Sequence, residues 1–260
     1  MSHAEELETK GYTQFAFDPR LAAWAAHAAA ISSTILSEPA HEKWWRHQRT
    51  WFVGVDALHN DGEGRLPDGP PLAGEVIDFV GKQFGFAGPW HRGQISVCFP
   101  GYPQRDSQES EAQHKFRLTR DAAHVDGLYG EGPAKRRHFR ETHQFILGIP
   151  LNAASAEDSP LVCWEGSHLI MQDMFAQVFA GIPEAQWSEV DVTEAYHAAR
   201  QHCFETCRRV IVNAQPGKSY IIHKLALHGV ASWTGGSAPD ASRMIAYFRP
   251  QALSPIAIGR

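Results

Sequence analysis

Residues 216–233, with the sequence "PGKSYIIHKLALHGVASW", decide the fold class. Pro216-Gly217 is a turn signal, and the β-branched and aromatic run at 219–222 is typical of a strand. His228 follows in an otherwise apolar setting. Similar short runs recur at residues 94–99, 144–151, 161–164, 210–212 and 244–248. Turns or longer insertions separate these runs, which indicates an all-β sandwich or barrel.

The first part of the chain has a helical pattern instead. Asp18-Pro19 is an N-cap followed by proline at the first helical position, and apolar residues spaced three and four apart follow it. A second short helix is predicted over residues 75–84. Residues 165–207 form a long, partly helical insertion, which we interpret as a lid or substrate-covering element.

These patterns predict a fold that is mainly β with helical support (α+β). We expect one domain over residues 1–260, with a helical N-terminal support at 1–92 and a β core at 93–260 that contains the 165–207 insertion. A chain of 260 residues is long enough to bury a sizeable core.

Composition narrows the function classes. The formal net charge of −5 gives no global basic field, so neither nucleic acid nor an anionic membrane is an expected partner. The longest apolar stretch, residues 21–36, is too short to span a bilayer, and the polar N-terminus has no signal-peptide pattern. We therefore expect a cytoplasmic protein. The sequence does not predict its oligomeric state.

The segment "RDAAHVDGLYG" at residues 120–130 contains the first candidate metal ligands. His124 and Asp126 are two apart, so in an extended strand their side chains project from the same face. His-x-Asp alone is a weak signal. With His228 it provides two imidazoles and one carboxylate, the facial triad of non-haem Fe(II) oxygenases, which leaves coordination positions open.

A third element is Arg243, fifteen residues after His228 at the start of an apolar strand. A dicarboxylic co-substrate needs a buried cation for its far carboxylate, and a guanidinium binds carboxylate in bidentate fashion. Arg249 has the same strand parity. We prefer Arg243 because it lies nearer to the turn after His228; an ordinary solvated arginine is the alternative.

Together these motifs resemble the phytanoyl-CoA dioxygenase family of iron- and 2-oxoglutarate-dependent oxygenases. The resemblance spans roughly residues 94–250 and is carried by "HVD", "SPLVCWEGSH", "PGKSYIIHKLALHG" and "SRMIAYFRP". It implies a double-stranded β-helix, a cupin-like jelly roll, with His124, Asp126 and His228 on iron and Arg243 on 2-oxoglutarate. It also implies the cofactor set Fe(II), 2-oxoglutarate and O₂.

The sequence departs from the family pattern at Val230, where several members have a hydroxyl residue that helps to bind the co-substrate carboxylate. Asp126 carries a further implication. Related halogenases have a small residue at the matching position, so a carboxylate there favours hydroxylation over halogenation.

Other residues are candidates for supporting the ligands or contacting substrate. His168 is expected to stabilise a turn or a ligand, and His223 resembles a family position that is not a ligand. His143 follows the metal-binding segment, with a surface or packing role as its alternative. Arg137 belongs to the basic segment "PAKRRHFRETH" at 133–143, which could attract an anion or be a solvated loop.

The function predicted from these residues is hydroxylation of a small or medium organic substrate, preferably an acid, with release of succinate and CO₂. Two alternatives stay open. One is another metal-dependent cupin-type enzyme that does not use 2-oxoglutarate, which would make Arg243 irrelevant. The other is a non-catalytic barrel that binds a small molecule.

Overall fold

The computed structural model describes residues 1–238 and 240–252. Within them the α-helices are α1 His3–Lys10, α2 Pro19–Ser37, α3 Glu75–Phe84, α4 Glu111–Arg120, α5 Ser167–Val178 and α6 Thr193–Thr206. Two 3-10 helices span Pro39–Trp44 and Glu184–Glu189. The strands are β1 Tyr12–Phe15, β2 Trp45–Arg46, β3 Trp51–Gly54, β4 Gln94–Cys98, β5 Leu128–Glu131, β6 Arg136–Phe139, β7 Phe145–Pro150, β8 Leu161–Trp164, β9 Arg209–Val212, β10 Ser219–His223, β11 His228–Val230 and β12 Arg243–Phe248.

Two antiparallel sheets form the centre of the molecule. In the described part of the chain, the larger sheet has seven strands in the order β1-β10-β7-β12-β4-β3-β2, and the smaller has the order β11-β8-β9. Leu161 and Val212 of the smaller sheet share one buried cluster with Ile222 and Ile245 of the larger. The two sheets therefore pack face to face, and the predicted α+β class with a large antiparallel sheet is confirmed.

Helices cover the opposite face of the larger sheet. Along β12, Ile245 points toward the smaller sheet, whereas Met244 and Phe248 join the cluster formed with the N-terminal helices, as the two-residue period of a strand requires. Trp24 of α2 packs against Phe248 with ring centroids 5.9 Å apart. No helix of the described residues combines the length and the apolar character needed to cross a membrane.

The strands and helices predicted for individual segments agree with the structure in most places, but strands in the first ninety-two residues were not predicted. All six predicted strands are present within one residue at most positions, and α2 begins at Pro19 with the Asp18 carboxylate accepting from the Arg20 N–H at 2.8 Å. The description of residues 1–92 as a helical support is incomplete, because β1, β2 and β3 lie there and form both edges of the larger sheet. Residues 253–260, the end of the predicted β core, lie outside the described residues.

The segment between β8 and β9 contains α5, a 3-10 helix and α6, as the partly helical pattern indicated. Phe175 and Tyr196 from this segment pack with Ala123 and Val125 in a second buried cluster. The hydroxyl of Tyr196 also accepts from the main-chain N–H of Val125 at 3.3 Å. The segment is thus packed directly against the stretch that carries His124 and Asp126.

Candidate metal centre

Main-chain hydrogen bonds bring His124 and His228 together from distant parts of the sequence. The N–H of His124 donates to the carbonyl of His228 at 2.9 Å, and the N–H of His228 donates back at 3.1 Å. Gly229 allows this approach, because a Cβ there would lie 2.2 Å from the main-chain oxygen of Asp121. This close contact is a steric reason for a glycine directly after His228.

The three predicted ligands meet at one point. The candidate ligand atoms of His124, Asp126 and His228 all lie within 4.8 Å of one another. Oδ1 of Asp126 is 3.2 Å from Nε2 of His124 and 3.7 Å from Nε2 of His228. These distances allow one ion to contact two imidazoles and one carboxylate at the same time.

Both imidazoles are oriented by their second nitrogen. Nδ1–H of His124 donates to the carbonyl of Ala122 at 3.0 Å, and Nδ1–H of His228 donates to the carbonyl of Ala226 at 2.9 Å. Because a carbonyl can only accept, the proton is on Nδ1 in each ring. Nε2 of each ring faces Asp126 and is the nitrogen available to bind a metal.

Asp126 is kept ionised by its neighbours. Its side chain is only 9% exposed, and Nη1 of Arg249 donates to Oδ2 at 3.2 Å. Burial by itself would raise the pKa of Asp126, but the contacts of its carboxylate with His124, His228 and the guanidinium of Arg249 hold that pKa well below its usual value. One oxygen therefore pairs with Arg249, while the other faces the histidines.

Among known proteins, the chain is similar to solved structures. No protein-family model matches the chain, and no curated protein sequence matches it significantly. SnoK, a non-haem alpha-ketoglutarate (2-oxoglutarate) dependent carbocyclase from nogalamycin biosynthesis, matches with a TM-score of 0.55 and 14% identity, over 96% of this chain and 84% of SnoK. The chain shares the fold of this enzyme. The likeness bears on the fold alone, and it agrees with the fold predicted from the sequence resemblance.

A second solved structure, EctD from S. alaskensis with 2-oxoglutarate and 5-hydroxyectoine, matches with a TM-score of 0.49 and 14% identity. That match covers 97% of this chain and 76% of EctD.

Arg243 lies at the start of β12, opposite Cys98 in the register, and is 3% exposed. Its Nη2 donates to the hydroxyl of Tyr247 at 3.0 Å, and that hydroxyl lies 2.9 Å from the hydroxyl of Tyr220. Its Nη1 is buried without a hydrogen-bond partner in the described part of the chain. Arg243 is therefore a buried cation with one unused donor group, between the two sheets.

Arg249, the alternative that the sequence left open, has a different environment. Besides Asp126, its guanidinium bonds to the side-chain oxygen of Gln94, and its main-chain N–H bonds to Nε2 of His91 at 2.7 Å. Arg243 is the first residue of β12, and Arg249 directly follows the last, six positions later, so the two lie at opposite ends of this strand. Arg249 thus contacts the carboxylate of the triad, and Arg243 does not.

The other predicted histidines are arranged around this centre in different ways. His143 is buried, neither ring nitrogen forms a hydrogen bond with the described residues, and Nε2 lies 3.4 Å from a carboxylate oxygen of Glu141. Nε2–H of His168 donates to the carbonyl of Glu8 at 3.0 Å, which fixes α1. His223 packs against His168 with ring centroids 4.8 Å apart and is outside the group of possible metal ligands.

The sequence alone did not identify several residues that lie near the candidate metal centre or near Arg243. Tyr196 and Arg200 come from the 165–207 insertion, whose position relative to the triad has no local signature. Tyr247 could have been found, because it is four residues from Arg243 on the same strand face. Tyr220 could not, since its contact depends on which strands pair.

The buried histidines give a prediction for acid stability. Burial lowers the pKa of His228 to about 4 and of His223 to about 3, whereas histidine in an unfolded chain titrates near 6.5. Between these values the unfolded state binds more protons, so the free energy of unfolding should decrease as pH falls from about 6.5 to about 4. The stabilisation that comes from these buried neutral histidines is fully present above about pH 6.5.

Urea unfolding followed by circular dichroism, on chelator-treated protein at several pH values, measures this loss. The variant His223→Gln should have a smaller pH dependence than the unaltered chain, because one titrating group is removed. A urea midpoint that stays constant from about pH 7 to about pH 4.5 would contradict the expected protonation.

Proposed function

We propose that this protein is a mononuclear Fe(II)- and 2-oxoglutarate-dependent oxygenase of the phytanoyl-CoA dioxygenase-like kind, with a double-stranded β-helix fold. His124, Asp126 and His228 would be the iron ligands. The observation that carries the proposal is that their ligand atoms lie within 4.8 Å while the second nitrogen of each imidazole bonds to a carbonyl. We also propose that the whole chain forms a single oxygenase domain.

The donor set suits iron. Two neutral imidazoles and one carboxylate leave three of the six positions of an octahedral ion open, as in non-haem Fe(II) oxygenases. The side chain of His124 is 51% exposed, whereas those of Asp126 and His228 are nearly buried. Substrate would therefore approach from the side of His124, and the protein interior would lie behind the other two ligands.

Arg243 suits 2-oxoglutarate. A buried guanidinium with an unused donor needs an anion, because an uncompensated buried charge is costly. No carboxylate of the described residues lies within ion-pair distance of it, and its Nη2 donates to the hydroxyl of Tyr247. The far carboxylate of 2-oxoglutarate would supply the missing charge, and the hydroxyl of Tyr247 would fix the orientation of the guanidinium.

Iron, 2-oxoglutarate and O₂ together supply oxidation of a substrate carbon, with release of succinate and CO₂. The protein contributes ligand geometry, orientation of the co-substrate and exclusion of water. Hydroxylation of a small or medium organic molecule is the outcome we propose. Since SnoK is a carbocyclase, the fold by itself does not determine which product forms.

The decisive experiment uses purified protein under argon. Addition of Fe(II) and then 2-oxoglutarate should produce a visible charge-transfer band that neither component produces alone. On exposure to O₂, succinate should form together with O₂ uptake. Iron binding without a band at saturating 2-oxoglutarate would favour a cupin-type enzyme that does not use this co-substrate, and failure to bind iron would favour a non-catalytic binding protein.

A further inference from the structure

A cavity of about 880 Å³ opens beside His124 and has an unusual charge for this protein. Five arginine or lysine side chains and two acidic side chains line it, although the whole chain has a formal net charge of −5. A cleft lined by one sign of charge concentrates ligands of the opposite sign. The cavity next to the candidate metal centre therefore has a positively charged lining, although the chain as a whole is negatively charged.

The two acidic side chains of the cavity are already engaged. Asp106 accepts from the main-chain N–H groups of His47 at 2.7 Å and Gln48 at 3.0 Å. Glu109 accepts from Nε of Arg117 at 3.0 Å and is nearly buried. Both carboxylates are therefore used inside the protein and do not neutralise the remaining cations.

Arg137 and Arg200 are two of the cavity cations that have no carboxylate partner among the described residues. Arg137 lies on β6, which pairs with β5 in a hairpin. On this hairpin Arg136 pairs with Asp191 and Glu194, and directly after it Arg140 pairs with Glu131. The side chain of Arg137 instead contacts the carbonyl of Leu128 at 3.4 Å.

Arg200 lies over two rings, at 4.6 Å from the Phe116 centroid and 5.3 Å from the Tyr196 centroid. Among the described residues, neither Arg137 nor Arg200 takes part in an ion pair with a carboxylate. Stacking on a ring leaves the guanidinium donors at its edge free to bind an anion.

Both arginines line the same cavity as His124. Tyr196 connects Arg200 to the candidate metal centre, because its hydroxyl accepts from the N–H of Val125, between two of the candidate ligands, while its ring contacts Arg200. Apolar surface from Trp51, Val53 and Phe116 completes the walls of the cavity. An anionic group and an apolar body can therefore both be accommodated beside His124.

We propose that the substrate is an organic anion with an apolar body, whose carboxylate or phosphate is bound by Arg137 and Arg200. The apolar part lies along Trp51 and Phe116, and the oxidised carbon faces His124. This assignment rests on the proposed function for the reaction itself. It names the chemical class of the substrate and the two residues that select it.

Three probes with one apolar chain test the assignment: octanoate, octyl phosphate and the neutral octanamide. Isothermal titration calorimetry is done on protein saturated with Fe(II) and 2-oxoglutarate under argon, so that Arg243 is occupied. At least one anion should bind about tenfold or more tightly than the amide. Its affinity should fall as salt is raised, because screening weakens exposed charges.

Variants of the cavity arginines test where the anion binds. Arg137→Gln and Arg200→Gln should each weaken binding of the anion about tenfold and leave the amide unaffected. Arg200→Lys should retain part of the affinity, because the positive charge remains. Arg136→Gln is the matched control, since it makes the same change in net charge on the same hairpin but at an arginine that is already paired, and it should bind the anion as the unaltered protein does.

The proposal is overturned if neither anion binds more tightly than octanamide, or if Arg136→Gln weakens binding as much as the other variants. The preference between carboxylate and phosphate identifies the anionic group. Repeating the titrations without metal separates this result from the proposed function. Preference for an anion without a charge-transfer band would support the cavity and reject the oxygenase, and the reverse result would do the opposite.

Discussion

Replacing Asp126 with alanine is expected to abolish iron-dependent turnover and to lower Fe(II) affinity by at least about 100-fold, more than is typical for loss of a residue that only supports a ligand. The variant loses the one anionic ligand. It also leaves the guanidinium of Arg249, which bonds to Asp126 at 3.2 Å, as an uncompensated positive charge beside the two histidines. That charge would repel the cation.

Iron content after anaerobic loading and desalting measures the effect, and succinate formation measures its consequence. Asp173→Asn is the matched control, because Asp173 is an exposed carboxylate on α5 that accepts from the side-chain amide of Gln177 at 2.7 Å and is not among the candidate ligands. It should bind iron as the unaltered protein does. If Asp126→Ala retained a full equivalent of iron, the assignment of the three ligands would be wrong.

The ligand set was open to prediction because its two halves have local signatures. His124 and Asp126 share a face through the two-residue period of extended chain, and the turn, strand and His-Gly sequence at 216–229 marks the second half. What the sequence does not contain is the reciprocal pair of hydrogen bonds between His124 and His228. Such a contact depends on the packing of the whole chain.

The lack of a local signature also explains why the sequence did not predict the strands in the first ninety-two residues. β1 and β3 are four residues long, and β2 has two, so each is too short for a clear alternating pattern. β1 is stabilised by pairing with β10, where Tyr12 lies opposite Ile222. The strong helical signal of α2 dominated that part of the sequence, although the strands on either side of it complete the sheet.

Strand parity also could not separate Arg243 from Arg249, since the two are six positions apart and so have the same parity in the sequence. Their surroundings separate them. Arg249 already has a carboxylate partner in Asp126, whereas Nη1 of the buried Arg243 has no hydrogen-bond partner in the described residues. This difference is why Arg243, and not Arg249, is proposed to bind the far carboxylate of the co-substrate.

Arg243→Gln is accordingly expected to raise the KM for 2-oxoglutarate by at least about 100-fold. Each hydrogen bond to a charged group contributes about 1.5–3 kcal/mol, and the far carboxylate would lose its charged partner. The activity at saturating 2-oxoglutarate should decrease much less, because the iron ligands and the cavity are unchanged. Titration of the charge-transfer band with 2-oxoglutarate gives the affinity without relying on turnover.

A shorter co-substrate makes the prediction specific. Pyruvate has the 2-oxo acid group that can bind a metal but lacks the far carboxylate, so the unaltered protein should bind 2-oxoglutarate far more tightly than pyruvate. Arg243→Gln should lose most of that difference, and Arg243→Lys should recover part of it because it retains the charge. In Arg249→Gln the preference should persist, with the change appearing in iron affinity through Asp126. If Arg249→Gln removed the preference and Arg243→Gln kept it, the roles of the two arginines would be reversed.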